Sequence, residues 1–174
     1  MTGFWRRLFG GGVPEELAGE LERDEHVVAS SELRGGGYLF ATSLGLWVPE
    51  EDGPRRVGWH LVSKVTWGNG VLELIEARET GSAGDAVLLA DERPARFVLE
   101  RAGKLPDVVH VRVNGSIRSR HRRELPGGGA WFVQRKVPGR DGIVLQVRPD
   151  QGADTDAVRR VASEVAEKIR QALP

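Results

Sequence analysis

EHVVASSELRGGGYLFATSLGLWVPEEDGPRRVGWHLVSKVTWGNGVLELIEA, residues 25–77, decides the fold class of this chain. Short runs of β-forming residues alternate there with turn chemistry. Val27 and Val28, then Tyr38 and Phe40, then Leu44, Leu46 and Val48 supply strands, and Gly35–Gly37, Pro49–Pro54 and Gly68–Gly70 punctuate them. That is the pattern of an antiparallel meander. Its clearest joint is Trp67-Gly68-Asn69-Gly70-Val71, because Asn-Gly supplies the positive φ angles of a tight hairpin. SKVTW on one side and VLELIEA on the other are its strands.

Working outward, residues 85–90 and 96–100 read as two further strands, and the polar, glycine-containing segment 78–84 reads as an exposed loop. Residues 104–125 admit two readings. Pro106 and Asp107 suit the start of a helix that buries Val108, Val109 and Val113; the alternation Val109, Val111, Val113 before Asn114-Gly115 suits a hairpin. The preferred reading is a helix to about Asn114 and a strand from Ser116. Strands over 130–137 and 142–148 follow, joined by the turn Pro138–Asp141. A closing helix keeps Val158, Val161, Val165, Ile169 and Leu173 on one face, with Asp154 or Asp156 as its cap. Ahead of the meander, Pro14, Glu15 and Glu16 open a short helix over about 14–24, with Leu17 and Leu21 as its apolar stripe. The fold class expected is mainly β with helices (α+β), an antiparallel rolled sheet or partly open barrel with an extra three-stranded segment and a long C-terminal helix.

Composition narrows the chemistry. The 174 residues suffice for a core without staples, and the absence of cysteine excludes disulfides, thiolate nucleophiles and Cys-based metal sites. Lys+Arg and Asp+Glu balance at 25 each, so any anionic partner must be recruited by a local patch. No apolar run reaches the roughly 18–20 residues that span a bilayer. The first residues lack the apolar core of a signal peptide, and a cytoplasmic setting is expected. Gly-, Arg- and Val-rich usage points to a high-GC bacterial source.

Three segments of the meander carry a family resemblance. Gly37-Tyr38-Leu39-Phe40-Ala41-Thr42, its continuation Leu44-Gly45-Leu46-Trp47-Val48, and Arg55–Val65 with Trp59 followed by Val62 are similar to the hairpin signatures of bacterial pleckstrin-homology-like (GRAM-type) domains. The resemblance covers roughly residues 25–114. It implies a final strand at 96–100 and a capping helix at 106–114, and residues 115–174 depart from it. The whole chain is also similar to a family of high-GC bacterial proteins that brings no activity with it. The domain division expected is a tail over 1–12, a pleckstrin-homology-like unit over 13–114, and a strand-and-helix extension over 115–174.

Two clusters stand out as contact candidates. In FWRRLF, residues 4–9, Phe4, Trp5, Leu8 and Phe9 surround Arg6 and Arg7, a composition suited to the headgroup boundary of an anionic membrane. In the run 116–123, Arg118, Arg120 and Arg122 share one strand face, with Arg123 and His121 beside them; Arg135, Lys136 and Arg140 are expected to join across the sheet. Of Trp131 and Phe132, one is expected to face the core, leaving the other beside the arginines. His26, His60, His110 and His121 form no ligand spacing, and His60 reads as a partly buried sheet residue. Asp150, Asp154 and Asp156 lack the EF-hand order. Neither glycine run is a phosphate loop, and no GxSxG, Walker or SxxK motif occurs. No catalytic, cofactor or metal residue is assigned. The expectation is therefore a non-catalytic binding or scaffold module, cytoplasmic or peripheral at the inner membrane face, contacting a protein partner or anionic lipid. Lesser expectations are RNA or nucleotide binding through the arginines, and an enzyme with dispersed residues.

Overall fold

A computed structural model describes residues 13–174. The chain is α+β. β1 (Val27–Glu32), β2 (Tyr38–Thr42), β3 (Gly45–Val48) and β4 (Arg55–Gly58) form a four-stranded antiparallel sheet in that order. A larger sheet, curled into an open half-barrel, holds β5 (Val62–Gly68), β6 (Val71–Ala83), β7 (Ala86–Asp91), β9 (Ile117–Leu125), β10 (Gly128–Lys136) and β11 (Ile143–Pro149). Its order is β5-β6-β7-β11-β10-β9, with β8 (Ala95–Val98) attached to β6. The turn between β5 and β6 is the predicted one: Asn69 and Gly70 take φ of 51° and 76°. Positive φ at both positions matches the turn to the right-handed twist of the strands.

The sheets meet at β1 and β8. Leu33 and Leu99 form an isolated bridge, Arg34 N–H donates to Val98 C=O at 2.9 Å, and Glu100 N–H donates to Glu32 C=O at 2.8 Å. α1 (Leu105–Ser116) closes the space between them, so the helical reading of 104–116 holds and the hairpin does not. Leu105, Val109 and Val113 from α1 pack with Leu39, Leu46, Trp59, Val62 and Leu72 in the first core. Gly45 is required there, since a Cβ would run into the Val57 carbonyl across β3 and β4.

A second core lies between the far half of the large sheet and α2 (Thr155–Ala172). Asp154 caps α2 by accepting from the N–H groups of Asp156 and Ala157 at 2.9 and 3.0 Å. Val158, Ala162 and Ala166 are the residues most buried against Phe132, Leu145 and Val147. Small alanines let the helix approach the sheet, so the buried stripe runs through Val158, Ala162 and Ala166 and leaves Val161 and Val165 at its flank. Val161, Val165 and Ile169 pack only partly, and Leu173 at the end stands exposed.

Three local expectations need correction. Residues 14–24 hold a single 3-10 turn, Glu15–Leu17: Ala18 already takes an extended ψ of 120°, and Gly19 follows at φ 80°. Leu17 and Leu21 nevertheless pack on Phe40 and Trp47. Residues 78–83 are no loop: β6 runs on to Ala83, paired with β7 through an irregularity at Glu79/Gly81. Segment 55–65 is interrupted by a 3-10 turn, Trp59–Leu61, so His60 lies on a turn between β4 and β5 and not within the sheet.

Candidate functional site

Cross-strand register builds the basic surface. β9 pairs with β10 so that Arg122 faces Trp131 and Arg120 faces Val133. On the other side of β10, Arg148 and Gln146 of β11 face the same two residues. Residues directly opposite in a sheet share a face, so Arg120, Arg122, Trp131, Gln146 and Arg148 converge on the face away from α2. Phe132 takes the opposite face and enters the second core, which leaves Trp131 half-buried beside the arginines. The Arg120 guanidinium lies 4.3 Å from the Trp131 ring centre, and that of Arg122 lies 5.7 Å from it. Cation–π contact holds both guanidinium groups in place.

The arginines differ in how far they are neutralised. Arg122 is held by Glu124 at 2.9 Å and by Asp150, whose carboxyl is held below its ordinary range chiefly by that pairing. Asp150 also accepts the Gly129 N–H at 3.0 Å. Among the described residues, Arg118, Arg120 and Arg123 enter no ion pair and lie exposed. Arg123 sits 6.0 Å from the Phe132 ring. Lys136 and Arg140 are exposed beyond the end of the stripe.

Arg135 departs from the expectation. It is 4 % exposed, so it is no part of the exposed stripe. Its Nη1 donates to the Val62 carbonyl at 2.8 Å, and its Nη2 to the Trp59 carbonyl at 2.9 Å and Ser116 Oγ at 2.7 Å. The side chain thus ties the 3-10 turn, the start of β5 and the end of α1 to β10. Burial, with Arg148 nearby, holds the guanidinium down to about 10, which still leaves it cationic at neutral pH. Period-two alternation from Val133 was the available signal that Arg135 faces inward; grouping by charge obscured it.

Glu25 was not anticipated at all. It is buried at the head of β1 and accepts from Thr42 Oγ1 at 2.6 Å, Trp47 Nε1 at 2.9 Å and the Glu22 N–H at 3.1 Å. Arg56 Nη1 completes the set at 2.6 Å. The threonine that closes the GYLFAT segment was the available sequence clue.

His60 sits on Gly58, where any Cβ would strike the imidazole, and its buried Nδ1 has no hydrogen-bond partner among the described residues. Burial, followed by the fields of Arg135, Arg140 and Arg56, pushes the imidazole from 6.5 down to about 4. The folded chain keeps it neutral where the unfolded chain takes up a proton. Stability from this group is therefore complete above pH 6.5 and declines as the pH falls toward 4. The loss expected is about 2 kcal/mol. Urea denaturation across that window should show it in the native chain and not in His60→Gln; an unchanged slope in the variant would remove His60 as the cause.

A larger cleft, about 740 Å³, opens over Val48, Leu61, Leu74 and Phe97. Both signs of charge line its rim, with Arg55 meeting Glu76 at 2.7 Å and Glu50 at 2.6 Å, and Arg78 meeting Glu92 at 2.6 Å. Phe4, Trp5, Arg6, Arg7, Leu8 and Phe9 lie outside the described residues. Among the described residues no helix is long and apolar enough to cross a membrane, and no group of three metal-ligating side chains converges. Compared with known proteins, the chain matches no protein family, no curated protein and no solved structure.

Proposed function

We propose that this chain is a non-catalytic recognition module of the bacterial cytoplasm, and that β9 takes an extended acidic segment of a protein partner as an added strand. The observation that carries the reading is a free edge with unbalanced charge. Among the described residues β9 ends its sheet, and Arg118, Arg120, His121 and Arg123 lie exposed along it. Backbone pairing would supply affinity there, and the alternate guanidiniums would select carboxylates. Pairing along β10 holds the strand extended, and Leu125 at its end packs on the second core, which lowers the ordering cost of binding. A meander closed by a helix in the first half suits a pleckstrin-homology-like unit, a fold that hosts many ligands, so the reading rests on the β9 edge and not on the fold.

The anionic inner face of a membrane is the second reading, favoured by the same unpaired arginines. Base stacking is disfavoured because Arg120 already covers the Trp131 ring. Amide hydrogen exchange with an alternating Glu/Val peptide should protect alternate amides of β9. Arg118→Glu should weaken that protection about tenfold in peptide concentration. Full β9 exchange at saturating peptide, together with binding to anionic vesicles that Arg118→Glu abolishes, would replace the first reading with the second.

A further inference from the structure

We propose that the concave face of the large sheet holds a site for one phosphate-type oxyanion, formed by Arg120, Arg135, Arg148, Gln146 and Ser63. These side chains come from β9, β10, β11 and β5 and line a small cleft of about 30 Å³. Arg135 and Gln146 form its base and are 4 % and 5 % exposed. Gln146 Nε2 is fixed by donating to the His60 carbonyl at 2.7 Å. Arg148 Nη1 donates to Ser63 Oγ and lies 3.3 Å from Asp91 Oδ1. Arg120 is propped over Trp131.

The charge in this cleft does not balance. Three guanidiniums face it, and Asp91 is the carboxylate paired at its rim, so the local sum is 3 − 1 = +2. Arg135 is the member farthest from water, and each group that accepts from it is neutral: two peptide carbonyls and a hydroxyl. A desolvated cation with no counterion raises the energy of the empty site, and the Arg148 charge adds to it. An entering anion relieves both terms at once. Volume sets the class of ligand. The space holds roughly two water-sized groups, enough for two oxygens of one tetrahedral oxyanion seated at the mouth and too little for a base or sugar. A tail must leave by the mouth. Arg120 and Arg148 are already positioned by Trp131 and Ser63, so little ordering remains to oppose binding.

The site shares Arg120 with the β9 edge but does not need the acidic-strand reading. Thermal denaturation of the full chain, titrated with sodium phosphate, glycerol phosphate or sodium acetate against chloride at constant ionic strength, tests it. A saturable rise in Tm with glycerol phosphate or inorganic phosphate is expected, and their comparison separates an organic phosphomonoester from the free ion. Arg148→Met, which leaves the Arg135 bonds intact, should weaken the response about tenfold, while Arg118→Glu leaves it unchanged. No saturable rise above chloride, an equal response to acetate, full retention in Arg148→Met or loss in Arg118→Glu would each overturn the proposal. Loss of peptide binding in Arg118→Glu with phosphate binding intact would separate the β9 reading from this one.

Discussion

Arg135→Met should lower the unfolding free energy by about 3 kcal/mol, read as a fall in the urea midpoint at unchanged slope. Methionine fills much of the volume of the arginine stem, so a cavity is not the main cause. The loss arises because the Trp59 and Val62 carbonyls and Ser116 Oγ are left without their donor in a buried place. Each orphaned group costs about 1–3 kcal/mol, and relief of the buried positive charge offsets part of the sum. Ser116→Ala should cost less, about 1 kcal/mol, since the two carbonyls keep their bonds. The double variant should fall well short of the sum of the two, because both act on one network. A neutral or stabilising Arg135→Met would show that the guanidinium is not what joins the 3-10 turn to β10.

Glu25→Ala should cost about 3–5 kcal/mol, the range for removing one partner of a buried ion pair. The carboxylate gathers Thr42, Trp47, the Glu22 N–H and Arg56, and truncation strands them together beneath the first strands. Burial alone would raise the Glu25 carboxyl, but the hydrogen bonds of Thr42, Trp47 and the Glu22 amide, with the Arg56 charge, outweigh it and hold the group below 4.5. Stability from this group is therefore present above the ordinary carboxyl value and is lost as pH falls through the lowered one. Glu25→Gln keeps the shape but removes the titration, so its denaturation midpoint should fall less steeply in acid than that of the native chain. This window lies below that of His60, whose loss begins near 6.5. An acid limb identical in Glu25→Gln and the native chain would take Glu25 out of the account.

Most of the secondary structure was legible because its causes are local. Asn69-Gly70 takes positive φ in a hairpin wherever the hairpin lies, and Asp154 caps α2 from its own first turn. The preference for a helix over 104–116 rested on Pro106 and Asp107, and it held because Leu105, Val109 and Val113 found one core. Segment 78–83 misled because glycine and polar residues mark a loop only when no neighbour pairs with them. Here β7 does, and a polar strand is stable with its exposed face in water. The basic stripe was half legible. Arg120 and Arg122 alternate onto one face as strand geometry requires, whereas Arg118 falls at a register shift against β10 and the fate of each charge depends on distant residues such as Asp150.

By itself the sequence determined the Asn69-Gly70 turn, the C-terminal helix with its cap, the α+β class and the presence of a local basic strand on a chain of zero net charge. These follow from periodicity, backbone preference and charge count, all properties of neighbouring residues. Only the tertiary structure decided that Arg135 is a buried clamp, that Glu25 is a hub, and that three guanidiniums line one cleft. The sequence separations are the physical reason. The acceptors of Arg135 on the 3-10 turn and β5 lie 76 and 73 residues away, and Ser63 reaches Arg148 across 85. A charged side chain carries no local mark of whether its partner will be water, a carboxylate or a backbone carbonyl, and that choice is made when the sheets close.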